Sequence, residues 1–173
     1  MNEDRLEDDL HAWDGKSVSR LQAIYKSAIG LPDLVARLIE LCARPETEVG
    51  ATWLLKHHLE RQDLTMTATD SIRVAGLLSD LSDWQAQLHL FQIADRSDMT
   101  QGTRPAWEAF IRAGLMSDRK LIRAWSYYAL AVLAARFTDL RAEARGILQD
   151  AMDQETAGSI KVRLRKALGK LSG

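Results

Sequence analysis

SDRKLIRAWSYYALAVLA, residues 117–134, is the stretch from which the organisation of this chain can be worked out. It opens on a polar, cap-competent Ser-Asp, passes through an apolar–basic pair at Ile122-Arg123 and continues as a long apolar segment with helical spacing. The same grammar recurs in ETEVGATWLLKHHLE from Glu46, LSDWQAQLHLFQIAD from Leu81 and ETAGSIKVRLRKALGKL from Glu155. The apolar–polar pairs are Ala51-Thr52, Ala86-Gln87, Ile122-Arg123 and Ile160-Lys161, at successive offsets of 35, 36 and 38 residues. A period of this size belongs to stacked helix pairs, because one pair cannot bury its own apolar face and covers its neighbour's instead.

Outward from these segments the spacing predicts inner helices at 46–61, 82–95, 118–136 and 156–171, and outer helices at 32–43, about 67–80, about 104–115 and about 139–153. A short acidic helix is expected within residues 1–14, ended by Asp14-Gly15. A second helix, capped by Ser17, should run through Ile29. Pro32, Pro45 and Pro105 all fall at or near expected helix starts, where a missing N–H costs little. Short connections are expected throughout, except for DRSDMTQGTRP, residues 95–105, which has no apolar periodicity and reads as an exposed, mobile loop. The expected organisation is one all-α domain over residues 1–173, with 1–31 as N-terminal capping helices and 32–173 as about four helix pairs.

At 173 residues, 46% hydrophobic and 27% charged, the composition is that of a soluble globular protein. The acidic start MNEDRLEDDL differs from a basic secretory or mitochondrial leader, and the longest apolar stretch, Trp125–Ala135, is too short to span a bilayer. The expected location is therefore cytoplasmic, with no membrane partner. The net charge of -1 hides an asymmetry: residues 1–100 carry 10 Lys+Arg against 17 Asp+Glu, whereas residues 101–173 carry 13 against 7. Such a dipole can steer a polyanion to the basic end or align two copies head to tail.

With these residues in view, SDRKLIRAWSYYALAVLA resembles the second helix of a HEAT repeat: a turn Asp, then a branched residue and Arg, then small and apolar positions. SIKVRLRKALGKL is similar, and Thr52 and Gln87 stand where that Arg would be in the other two segments. The resemblance, from about residue 32 onward, implies a right-handed α-α superhelix, a solenoid of stacked antiparallel helix pairs. It also implies that Asp118 and Arg123 bond between adjacent turns.

Few residues suggest chemistry. His57 and His58 point about 100° apart on a helix and cannot jointly build a zinc site. Cys42 sits in an apolar run and is expected to be buried. Asp80 and Asp83 resemble an acid/base pair but lie at a helix start, where Ser82 or Asp83 is expected to serve as the cap. No nucleophile elbow, phosphate loop or dinucleotide fingerprint occurs, so no catalytic residue, metal or cofactor is assigned. Trp53, Trp84, Trp107 and Trp125 fall within repeat helices, and Trp13 within the first, where the rings mostly suit a core.

The candidate binding surface is a ladder over the inner helices, taking the polar member of each pair and the residue four later: Thr52, Lys56, Gln87, Arg123, Tyr127, Lys161 and Arg165. The fourth such residue, Phe91, fits an exposed ladder poorly. The surface is most basic at Arg119, Lys120, Arg123, Lys161, Arg163, Arg165 and Lys166. The function expected from the resemblance is a non-enzymatic scaffold or adaptor that binds another protein on its concave face. The second partner class is nucleic acid. Alkylpurine DNA glycosylases are similar in stacking HEAT-like helices, and Arg123, Trp125, Tyr127 and Tyr128 resemble the composition of their concave face, although no residue here matches their catalytic Asp. Self-association through oppositely charged ends is the third expectation.

Overall fold

The computed structural model of the chain describes residues 3–172. It is all-α, 73% helical, with no strand among the described residues. The ten α-helices are α1 Glu3–His11, α2 Val18–Ala28, α3 Leu34–Cys42, α4 Glu48–Arg61, α5 Ala68–Leu77, α6 Trp84–Gln92, α7 Arg104–Leu115, α8 Lys120–Arg136, α9 Arg141–Gln154 and α10 Gly158–Lys170. Among the described residues no helix is long and apolar enough to cross a membrane.

The starts of α2, α5 and α6 follow from local chemistry. Ser17, Thr67 and Asp83 have extended backbones, and their side chains accept from the N–H groups of Arg20, Asp70 and Gln85. Asp83 is thus committed to a cap, while Asp80 accepts from the Ser79 hydroxyl. Gly15 adopts a positive φ of 73°, which turns the chain between α1 and α2 at no Cβ cost.

The chain packs as two compact units, Met1–Asp98 and Met99–Gly173. In the first unit α4 packs on α2, α3 and α6, and α3 packs on α5. Gly50 lets α1 and α2 come close to α4, since a Cβ there would lie 2.8 Å from Leu10 Cδ2. In the second unit α8 packs on α7, α9 and α10, and α9 on α10. Trp107, Ile111, Leu133, Leu148 and Leu164 are fully buried in its core.

The unit boundary falls within the 95–105 segment, and here the expectation of an exposed loop is corrected. Met99 and Thr103 are 2% and 4% exposed. In the first unit the Asp98 N–H donates to Ser71 Oγ (2.8 Å). In the second, Arg136 Nε donates to the Met99 carbonyl and the Thr100 N–H donates to Thr103 Oγ1. The polar residues that look loop-like in sequence satisfy the backbone of a tight turn.

Bonds between helices join residues roughly thirty to forty positions apart. In the first unit Arg37 and Glu7, Tyr25 and His58, Glu48 and Ser82, and Thr52 and His89 bond at separations of 30, 33, 34 and 37 residues. In the second, Arg112 and Glu143, Arg123 and Glu155, and Arg104 and Asp139 do so at 31, 32 and 35. These separations of 30 to 37 residues are compatible with a helical repeat packed on its neighbours.

Candidate functional site

The expected binding ladder separates into scaffold residues and surface residues. Thr52 is 0% exposed. Its hydroxyl donates to the Glu48 carbonyl (2.9 Å) and meets His89 Nδ1 at 3.0 Å, joining α4 to α6. Phe91 is likewise buried. Gln87 Nε2 donates to the carbonyl of Leu81 (3.0 Å), six residues back. Arg123 Nη1 donates in the same way to the carbonyl of Ser117 (2.8 Å), also six back. Gln87 and Arg123 therefore have the same task in their two units: each closes the turn that leads into its own helix.

Arg123 also reaches Glu155 (3.4 Å), with side chains only 23% and 16% exposed. Its expected bond to Asp118 is replaced by these contacts, and Asp118 is exposed. Tyr127 is buried, and its phenol is raised above the usual tyrosine range, chiefly by burial and then by Glu155. Lys56 is ion-paired to Glu60 on its own helix. Of the seven ladder residues, Lys161 and Arg165 stand on α10 with no carboxylate partner among the described residues, Lys161 half-buried and Arg165 exposed.

Arg123→Glu is expected to lower stability by roughly 2 kcal/mol, because it removes the Ser117 bond and sets two carboxylates face to face. Arg165→Glu should stay within about 0.5 kcal/mol of wild type. Urea titration of the two single variants checks this, and equal midpoints would remove Arg123 from the scaffold.

The solvent face of the second unit lies elsewhere on the same helices. On α8, Leu121, Trp125, Tyr128 and Val132 share one face by helical spacing, and all are at least partly exposed. They occupy a different side from Arg123 and Tyr127. On α10, Arg163, Lys166 and Lys170 form one flank, with Lys161 and Arg165 on the other. The first flank meets the α8 stripe. The Arg163 guanidinium lies 3.5 Å from the Trp125 ring centroid and 6.0 Å from that of Tyr128. Lys170 Nζ lies 5.3 Å from the Tyr128 ring, and the two rings meet edge to face at 5.8 Å. Burial pulls the Arg163 guanidinium below its usual range, with Tyr128 acting in the opposite direction. The stripe's signal is present in the sequence, as apolar and aromatic residues at 121, 125, 128 and 132. It is masked there because Trp and Tyr also suit a core.

The tryptophans divide accordingly. Trp107 is buried, whereas Trp13, Trp53, Trp84 and Trp125 are partly exposed. In the first unit Trp53 stacks on His57 (4.7 Å, 14° between planes), which meets Tyr25 edge to face at 4.7 Å. Tyr25 and His57 wall a groove of ≈ 350 Å³ beside α2 and α4, also lined by Lys26 and Arg61. Burial lowers both His57 and His58, favouring their neutral forms, and His58 Nδ1 is bonded to Tyr25 Oη (3.1 Å). Cys42 is buried, and burial followed by the nearby Glu48 pushes its thiol far above the range of a reactive cysteine. Among the described residues no three His, Cys, Asp or Glu side chains gather to hold an ion.

Comparison of the chain with protein-family models, with curated proteins and with solved structures finds no significant match.

Proposed function

We propose that this chain is a non-enzymatic, cytoplasmic binding module of HEAT-like helix pairs in a right-handed solenoid, and that it holds another protein against the α8–α10 face. The observation that carries this reading is the half-exposed Leu121–Trp125–Tyr128 stripe flanked by Arg163, Lys166 and Lys170. Trp, Tyr and Arg dominate the energetics of protein interfaces, since each brings a large apolar area with a polar end. The repeat period supports the HEAT-like part of the reading: within each unit, bonds near one period apart join successive helices.

A second reading, nucleic-acid binding, is favoured by one specific feature. Neither α8 nor α10 contains a single carboxylate, and aromatic rings beside cations can stack bases. The glycosylase version of that reading gains no support, because Arg123 and Tyr127 are engaged in the scaffold.

Reversing the flank with Arg163→Glu, Lys166→Glu and Lys170→Glu together should abolish recovery of the main partner in a quantitative capture from the native cell extract. The opposite-flank variant Lys161→Glu with Arg165→Glu should retain it. Both should keep helical circular dichroism. Recovery of the same proteins by wild type and the reversed flank would overturn the reading.

A further inference from the structure

Charge in the second unit is segregated by helix. Helices α7 and α9 carry both signs and pair them, as Arg112–Glu143 (2.8 Å) and Arg112–Glu108 (2.9 Å) show, and Arg104 pairs with Asp139 in the turn before α9. Helices α8 and α10 are different. Lys120, Arg123 and Arg136 on α8, and Lys161, Arg163, Arg165, Lys166 and Lys170 on α10, are not offset by any Asp or Glu on either helix. Glu155, which precedes α10, is taken by Arg123. Among the described residues, Lys166 and Lys170 have no ion-pair partner, and Arg163 is held by rings rather than by a carboxylate. A guanidinium stacked on an indole keeps its in-plane N–H groups free to receive a carboxylate, and the stack fixes its direction.

Apolar surface borders these cations. Leu121 is 55% exposed on the α8 stripe and Val162, one turn before Lys166, is 49% exposed. Aliphatic side chains add nothing for a phosphate backbone but suit an apolar side chain of a polypeptide. A short segment is enough to engage the cations of α8 and α10. Helix α10 is 13 residues long, a reach of roughly 20 Å.

We infer that the α8–α10 face binds a short acidic amphipathic polypeptide segment, its carboxylates on Arg163, Lys166 and Lys170 and its apolar side chains against Trp125, Leu121 and Val162. This inference rests on the proposed protein-binding function and names the chemistry of the partner. The segment's apolar residues would cover the ring edges and so strengthen the ion pairs by excluding water from them.

The test uses the full chain and three probes: a peptide of about twelve residues alternating Glu or Asp with Leu and Phe, the same peptide with Gln and Asn for Glu and Asp, and an oligothymidylate of similar length. Calorimetric titration in low salt should show saturable binding of the acidic peptide and binding at least about tenfold weaker for the neutral one. Lys166→Glu with Lys170→Glu should weaken the acidic peptide about tenfold or more, while Lys161→Glu with Arg165→Glu, on the other flank, should change it less than about threefold. Equal binding of the acidic and neutral peptides, or an equal effect of the two flanks, would overturn the inference. Tighter binding of the oligothymidylate, lost in the same Lys166/Lys170 variant, would assign the face to nucleic acid instead. No binding of either peptide would also overturn it, and continued flank-dependent capture of a protein partner would then show that the broader protein-binding reading survives.

Discussion

Glu48→Ala is expected to cost roughly 3 kcal/mol, the larger part from two charge-assisted hydrogen bonds. Glu48 is 3% exposed at the start of α4, yet its carboxylate works on the turn before α6. Oε2 accepts the Ser82 hydroxyl (2.8 Å) and Oε1 accepts the Asp83 N–H (3.0 Å). These donors lie just before α6, where the helix leaves N–H groups unpaired and the helix dipole favours negative charge. Alanine would leave a buried gap and two donors without their acceptor. Glu48→Gln keeps one acceptor oxygen and should lose only about half as much. Urea unfolding followed by circular dichroism measures both. A Gln variant as damaged as the Ala variant would mean that the space Glu48 fills matters less than its charge, and an Ala variant equal to wild type would remove Glu48 from the joint.

The all-α class and the helix positions were legible because amphipathic spacing and caps act locally. Ser17 and Asp83 each sit where a cap was expected, and α7 begins at Arg104 and ends at Leu115 as the spacing predicts. The surface was less legible, for a geometric reason. The polar residue of each apolar–polar pair reads in sequence as the exposed one, but Gln87 and Arg123 turn back to carbonyls six residues earlier and Thr52 is buried against His89. In unit two the outward face instead lies two and five residues after the polar member, at Trp125 and Tyr128 on α8 and at Arg163 and Lys166 on α10. Composition cannot reveal this, since a tryptophan beside solvent and one in the core are the same letter. Trp107 and Trp125 are distinguished only by what packs on them: Trp107 is fully enclosed and meets Phe110 edge to face, whereas Trp125 is covered on one side by an arginine.

The α4–α6 joint should also make the protein acid-sensitive in a window set by one histidine. His89 is 9% exposed, and burial, with the Lys56 charge acting in the same direction, lowers it from the ordinary 6.5 to about 4. When the Thr52 hydroxyl donates to the Glu48 carbonyl, its oxygen is left to accept the His89 Nδ1–H, so a neutral ring already satisfies the contact. A proton on the second nitrogen would bring charge into a site that excludes water. Between pH 6.5 and about 4 the unfolded chain binds this proton and the folded chain does not, so stability falls as pH falls through that window. The contribution is fully present above 6.5 and is lost by about pH 4, a total of roughly 3 kcal/mol. His57 and His58 are lowered in the same direction but are more exposed, so they add less. The Asp139 and Glu143 carboxylates are lowered by Arg104 and Arg112, so their contributions are lost at lower pH and are largely separate from this window. His89→Gln keeps an amide that can reach Thr52 but cannot titrate. Its unfolding free energy, measured in urea from pH 7 to 4.5, should therefore be lower at neutral pH and much flatter with pH than that of wild type. A variant that retains the wild-type slope would show that the acid sensitivity comes from other groups and that the His89 ring carries its proton within the fold.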